Sequence, residues 1–488
     1  MNKQNFIFFF LLIIGLNSFA QPISLHPQNP HYFLYKGKPT VLITSAEHYG
    51  AVLNADFDYK KYLQTMRAER MNYTRIFAGS YAEIPGSFGI ENNSLAPAVG
   101  SFIAPWKRVD EPGLFKGEKK FDLNEWNPEY FTRLKNFISL ADELGIIVEV
   151  TIFCSTYQDN IWERNPFNPG NNINNIPVNL ERQKSNTLSN STLTGFQQKL
   201  VEKLVKELNG FDNIFYEIQN EPWSDDPQKV MRLLKTLDPE PEKGSWYKWA
   251  EMASAASLEW QKLMAKTVVD TELPLPKKHL IAQNYTNFMH SLDKVDPNIS
   301  ILNFHYVWPE AVWMNYGWNR PVSFDESGFA GSSDSIYLRQ AWQFMMAGGA
   351  VFNNLDYSFY VGKEDGTGTN KAPGGGSTNF RKQLAFLRGF IESADFVKMQ
   401  PDFDVVAHSP GMQVQAISEF GKQYAMVFTG VATKSVKLYL PKGKYNFELV
   451  SPYSGKTLKK GFLHQKKNGI FEMEMPEFVE MIALKITK

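Results

Sequence analysis

The sequence predicts an α/β fold, a (β/α)8 TIM barrel followed by a small all-β sandwich domain. Three observations predict it. Eight runs of strand length, mostly apolar, recur at residues 40–44, 73–77, 146–153, 214–219, 280–284, 299–304, 322–325 and 350–355. Segments with helical periodicity separate most of them. From about residue 401 the pattern changes to short alternating segments divided by turn signals.

The elements follow in order. Lys3, an apolar stretch at 6–15 and Ser18-Phe19-Ala20 form an export signal, with cutting expected after Ala20. The stretch is too short to span a bilayer, and no Cys follows it to carry a lipid. The predicted product is exported, periplasmic or extracellular, with no membrane anchor after cleavage. Residues 21–38 form a strand-like extension with a turn at Lys36-Gly37-Lys38. Several of the eight runs are apolar throughout, as strands covered on both faces are. Helix candidates are 58–70, 128–144, 195–208, 247–267, 336–346 and 379–394. A doubly wound sheet shares this alternation, but the Gly-rich turn it needs after the first strand is missing.

Long loops at 78–127, 155–190 and 361–378 leave the second, third and eighth strands at the mouth where barrels build active sites. Gly374-Gly375-Gly376 lacks the strand–turn–helix context of a phosphate site and reads as a flexible rim loop. The sandwich strands are expected at 412–417, 423–428, 435–440, 445–449, 470–475 and 480–486, with a packing role against the barrel. The predicted domains are thus a signal at 1–20, a catalytic barrel at 21–398 and a sandwich at 399–488.

Composition narrows the partners. Lys+Arg and Asp+Glu are equal at 51 each among 488 residues, so no basic face for nucleic acid is implied. Aromatic residues reach 14%, which suits both core packing and sugar-binding clefts, because sugar rings have apolar faces. The one cysteine, Cys154, excludes an internal disulfide and reads as a small core residue.

Two short segments carry the chemistry. Ile218-Gln219-Asn220-Glu221-Pro222-Trp223 and Val322-Ser323-Phe324-Asp325-Glu326-Ser327-Gly328 each run from a strand into a glutamate. Two carboxylates delivered from one end of a barrel are the minimum equipment for cleaving a glycosidic bond. A lone glutamate at a strand end reads as an ion-pair partner or helix-start charge; two, on strands four and seven, read as a catalytic pair.

Asn220-Glu221-Pro222 on strand four with Glu326 on strand seven resembles the clan A glycoside hydrolases, the retaining 4/7 superfamily, and among them the family 5-like exported bacterial enzymes. The resemblance covers the barrel. It implies Glu221 as general acid/base, Glu326 as nucleophile, Asn220 as a partner of the sugar 2-hydroxyl, and Arg75 as the support of the nucleophile. It also implies a β-glycoside as the carbohydrate substrate. The charge of Glu326 is expected to raise the Glu221 pKa and keep it protonated at first, and mouth residues among which only Arg75 is clearly basic favour neutral sugars. No cofactor or metal is expected.

His305 and Tyr306 adjoin where the clan separates them by one residue. Adjacent strand residues face opposite sides, so His305 is expected inward and Tyr306 outward unless the strand has ended. The clan's tryptophan on strand eight has no counterpart; Tyr357 or Phe359 stands in its place, with Asp356 as a hydroxyl partner. Glu47 and His48 are placed to contact sugar or to pair with each other. Trp223, Trp308 and Trp162 are candidate stacking platforms, with packing as the plainer role for each. Two rival readings stay open: a metal-dependent hydrolase using Glu221, Glu326, His305 and His48, and a non-catalytic carbohydrate-binding barrel.

Overall fold

A computed structural model describes residues 21–233 and 246–488; the export segment at 1–20 lies outside the described residues. Eight parallel strands form the barrel: β1 Leu42–Ala46, β2 Tyr73–Phe77, β3 Ile147–Cys154, β4 Ile214–Asn220, β5 Ile281–Asn287, β6 Ile301–His305, β7 Val322–Ser327 and β8 Val351–Leu355. They pair in the order β2-β3-β4-β5-β6-β7-β8-β1, and β1 lies against β2 in a nearly closed ring. Every residue of the eight is buried, which is why they read as unbroken runs rather than alternating ones.

Among the described residues, seven helices of six residues or more accompany them: α1 Tyr59–Ala68, α2 Pro128–Glu143, α3 Ser191–Leu208, α4 Ala255–Glu272, the short α5 Glu310–Asn315, α6 Asp334–Met346 and α7 Thr378–Glu392. Their starts are chemically marked. Asp58, Asn127, Asn190, Ser254 and Ser377 each accept a hydrogen bond from a first-turn N–H of the helix that follows. The expected helix at 247–267 therefore starts later than predicted, at the Ser254 cap. The residues before the cap form a strand, Trp249–Met252, that pairs with Gln228–Arg232 and reaches β5 at Thr286. Between β5 and β6 no helix occurs among the described residues. No described helix is long and apolar enough to cross a membrane.

A three-stranded antiparallel sheet built from Ser24–Leu25, Phe33–Tyr35 and Lys38–Thr40 precedes the barrel. After the barrel come β9 Met412–Glu419, β10 Gln423–Gly430, β11 Ser435–Leu440, β12 Gly443–Val450, β13 Thr457–Gln465, β14 Gly469–Glu474 and β15 Met481–Thr487. Strands β9, β10, β15, β12 and β13 pair in that order, while β11 and β14 belong to a smaller sheet. Ala425, Val427, Met481 and Ala483 join the barrel core, whereas Tyr424, Met426, Phe428, Ile482 and Leu484 fill the space between the two sheets. That two-sided burial holds the sandwich against α6. Strand β13 was not foreseen: it lies at a sheet edge, carries Lys459 and Lys460, and shows little apolar alternation.

Candidate active site

Barrel interiors are usually filled with branched apolar side chains. Here the layer beneath the mouth is polar. Arg75 projects from β2 into it and is completely buried. Its Nε lies 3.0 Å from both Thr151 Oγ1 and Glu217 Oε2, and its Nη2 lies 2.7 Å from Asn220 Oδ1 and 3.3 Å from Asp325 Oδ2. Its Nη1 stands 3.5 Å from Glu326 Oε2, and the ring of Tyr49 covers its face at 4.6 Å. Glu149 accepts from Tyr73 and, at 2.8 Å, from Asn303. Burial, joined by the charges of Asp325 and Glu217, pushes Glu149 well above the usual carboxylate range. Burial also raises Glu217 to about 7 against the pull of Arg75. Asp325 goes the other way: burial opposes its charge, but Arg75 and His305 outweigh that and hold it low.

Glu221 follows the last residue of β4 and adopts a left-handed backbone, φ 46°. Its N–H donates to Asn284 Oδ1 at 3.2 Å, and its carbonyl accepts from the Ser155 hydroxyl at 2.7 Å. Those two bonds fix a conformation that non-glycine residues rarely adopt. Glu326 lies within β7, where the register shifts between Phe324 and Glu326 against β6. The bulge breaks alternation, so consecutive Asp325 and Glu326 both reach inward. Glu326 Oε2 accepts from Tyr49 at 2.8 Å and Oε1 from Tyr306 at 2.6 Å.

His305 joins the two glutamates. Its Nδ1 lies 3.1 Å from Glu221 Oε1 and 3.8 Å from Glu326 Oε1, and its Nε2 lies 3.4 Å from Asp325 Oδ2. Burial disfavours its charged form, yet these three carboxylates push it up to about 10. Burial likewise favours a protonated Glu221, but the bond and charge of His305, with the hydroxyls of Tyr157 and Tyr306, overcome it and hold Glu221 below its ordinary value. Glu221 was expected to be raised by the charge of Glu326; it lies below its ordinary value instead, because His305 outweighs burial. The outward placement of Tyr306 is corrected too. Strand β6 ends at His305, and Tyr306 turns left-handed at φ 51°, so both side chains face the glutamates.

Glu221, Glu326, Asn220, Tyr306 and His48 line one hollow. Trp223 lines an adjoining chamber and stands edge-on to His305 at 5.4 Å. Tyr357 is buried with its ring 5.6 Å from His48. Five predicted candidates lie elsewhere. Glu47 neither lines the hollow nor bonds to His48; it accepts from the N–H groups of Gly50 and Ala51 and from Ser94. Asp356 is taken by Arg381 at 2.6 Å and by Ser45 at 2.8 Å, and Phe359 packs beneath the same Arg381 at 4.4 Å. Trp308 packs on Phe288 outside both chambers, and Trp162 packs against the core. The glycine run is close-packed, not a free rim: a Cβ on Gly376 would fall 2.0 Å from Asp356 and one on Gly374 2.6 Å from the Tyr357 ring.

Tyr49, Glu83, Tyr157 and Phe329 all line the hollow and were not foreseen there, while Cys154 belongs to the core as expected and borders the hollow too. Tyr49 closes a polar run at the mouth of β1, a signal already present. Glu83 and Phe329 lie in loops without periodicity. Asn220 Nδ2 donates to the Tyr157 hydroxyl at 2.8 Å and lies 3.5 Å from Cys154 Sγ, which burial keeps protonated.

Two trios have the spacing of a cation site. Glu221, His305 and Glu326 bring donor atoms within 4.8 Å of one another, as do Glu217, His305 and Asp325. Both depend on His305. Arg75 already supplies positive charge to Glu217, Asp325 and Glu326.

No family model matches the sequence, and none of the curated proteins compared matches it. Solved structures do share the fold. A putative glycoside hydrolase from Bacteroides vulgatus ATCC 8482 superposes with a TM-score of 0.66 at 13% identity, covering 96% of this chain and 82% of its own. A glycoside hydrolase family 5 protein from the same organism gives 0.61 at 10% identity, covering 96% and 93%. A third structure, named only as a glycoside hydrolase, gives 0.57 at 12% identity, covering 96% and 97%.

Replacing Arg75 by Met leaves Glu217 and Asp325 buried without their cation. The expected loss is about 3–5 kcal/mol of unfolding free energy, read by urea titration. A loss under about 1 kcal/mol contradicts the network described above.

Proposed function

We propose that the protein is a retaining glycoside hydrolase that cleaves β-glycosidic bonds between neutral sugars by double displacement. One observation carries the reading: a carboxylate oxygen of Glu221 and one of Glu326 lie within 4.8 Å across a shared hollow. Carboxyls that close suit direct attack on the sugar, whereas pairs that work through an intervening water stand about 6.5–9.5 Å apart. The names of the three structures that share the fold agree with it. A neutral substrate fits because the cations at the hollow are already matched, His48 by Glu83 and Arg75 by its carboxylates. The charged and apolar pattern of residues 3–20 supports export to the periplasm or beyond.

In the first step Glu326 attacks the anomeric carbon while Glu221 passes a proton to the departing oxygen, and the C–O bond breaks. Tyr49 and Tyr306 orient the attacking carboxylate. The proton comes from His305 Nδ1 across the 3.1 Å bond to Glu221 Oε1. In the second step Glu221 takes a proton from water, the oxygen of that water attacks the same carbon, and Glu326 leaves with its electron pair. Configuration is retained because the carbon is inverted twice.

Loss of Glu326 in Glu326→Ala should abolish turnover, with azide partly restoring it on an activated aryl glycoside. Glu221→Ala should slow substrates with poor leaving groups by about 10²–10⁴-fold and activated ones far less. Full activity in Glu326→Ala, or an equal loss on both substrate classes in Glu221→Ala, contradicts the assignment. A chelator should leave the activity unchanged; abolition would favour a metal-dependent hydrolase built on the Glu221–His305–Glu326 trio. Tight sugar binding without any turnover would favour a non-catalytic barrel.

The pH dependence follows from the shared proton. The active free enzyme needs the Glu221–His305 pair to hold one proton, and His305 retains it up to about 10. In His305→Asn, Glu221 must hold that proton alone. The alkaline limb of kcat/KM should then move to lower pH, and an unmoved limb contradicts the proton's assignment to His305.

A further inference from the structure

We infer that the hollow over Glu326 is a blind pocket for one sugar, so that the enzyme removes single monosaccharides from the non-reducing end of its substrate. The inference rests on the glycosidase reading proposed above. Two chambers meet at Glu221. The inner one contains both Glu221 and Glu326 and so takes the sugar whose anomeric carbon is attacked. The outer one contains Glu221 but not Glu326, and is lined by Trp223, Ser224 and Asn287. It takes the leaving group, since Glu221 protonates the oxygen between the two. Phe88, Tyr157, Tyr306 and Phe329 line both chambers and form a collar between them. Phe88 stands edge-on to Tyr157 at 5.1 Å, and Tyr306 edge-on to Phe329 at 5.8 Å. Such a ring of aromatic faces suits a chain of sugars entering one at a time.

The far side of the inner chamber decides between cutting at an end and cutting within a chain. It closes on His48, Glu83 and Leu95. Glu83 and Leu95 come from the loop after β2, and both are at least 98% buried. Glu83 pairs with His48 at 3.2 Å, accepts from Asn93 at 2.5 Å, and its N–H donates to the Leu95 carbonyl at 2.9 Å. From behind, the buried Arg164 donates to the carbonyls of Glu83 at 3.0 Å and Pro97 at 2.8 Å while pairing with Glu118 at 2.7 Å. Gly50 at the end of the first barrel unit packs so tightly on this loop that a Cβ there would sit 2.1 Å from the Ser94 carbonyl oxygen. The rim loop after β8 is stitched on as well, with Glu91 N–H to the Lys371 carbonyl at 2.9 Å and Asn370 Nδ2 to the Asn92 carbonyl at 2.7 Å. A wall with this many buried bonds is a fixed end, and a second sugar beyond the first would have to displace packed chain.

The closed end also carries unmet polar capacity. His48, which lines it, keeps a buried Nδ1 with no hydrogen-bond partner among the described residues. Buried groups of this kind are normally satisfied. A hydroxyl of a terminal sugar, which an internal sugar would have spent on the next linkage, supplies the missing partner.

The test uses trisaccharides of β-linked glucose, galactose or mannose carrying an aryl label at the reducing end, with the non-reducing end either free or capped by a benzylidene group. The free trisaccharide should lose one monosaccharide at a time, with the labelled disaccharide appearing first. The capped one should react at least about a hundredfold more slowly, since the cap meets the Glu83–His48 wall. Comparable rates on both, or release of a capped disaccharide, would overturn the blind pocket while leaving the glycosidase reading intact. No hydrolysis of any free trisaccharide or aryl monosaccharide in the panel would overturn the glycosidase reading, and this inference with it.

Discussion

The site is organised around a guanidinium buried in the middle of a barrel. Arg75 gives up all its water and regains hydrogen bonds or charge contacts with Thr151, Glu217, Asn220, Asp325 and Glu326. A buried charge is costly unless it is matched, and a matched cluster is costly to disturb. Strands β2, β3, β4 and β7 are thereby tied to one another through their inward side chains. The same cation lies within reach of Asn220, the neighbour of Glu221, and of Glu326 itself. Positioning of both carboxylates therefore follows from a single electrostatic knot, and the apolar layers of an ordinary barrel are given up beneath the mouth to make room for it.

Above the knot, local backbone geometry aims the reacting groups. Tyr49, Glu221 and Tyr306 each follow the last residues of a barrel strand in a left-handed conformation, with φ of 59°, 46° and 51°. Residues so placed carry about 1–3 kcal/mol of strain each, which the surrounding bonds must overdetermine. The result is convergence: two tyrosine hydroxyls grip Glu326 from opposite units of the barrel, while His305 bridges Glu326, Glu221 and Asp325. The imidazole lets one proton serve two partners. Its charge is sustained by three carboxylates and in turn favours an ionised Glu221.

Much of this was legible in the residues, for definable reasons. Strands buried on both faces leave continuous runs, so all eight appeared within two or three residues of their observed places. Glu221 and Glu326 were legible because each ends such a run. What escaped was whatever depends on broken alternation or distant partners. The inward Tyr306 needs a strand that stops at His305, and the paired Asp325 and Glu326 need a bulge; neither leaves a periodic trace. Asp356 looked like a mouth residue until Arg381, 25 positions later, claimed its carboxylate. Glu83 and Phe329 enter from loops, where residue type alone does not say which way a side chain faces. The edge strand β13 hid behind its lysines.

The proposed double displacement has Glu326 bonding to the sugar while Glu221 faces it. A 2-deoxy-2-fluoro glycoside with a good leaving group slows the second displacement and allows the covalent state to be caught. Mass spectrometry of peptides from the inactivated protein should place a single added sugar on Glu326, with activity returning as that sugar is lost. A label on any other residue, or full turnover by way of an inverted product with no label at all, would contradict the account.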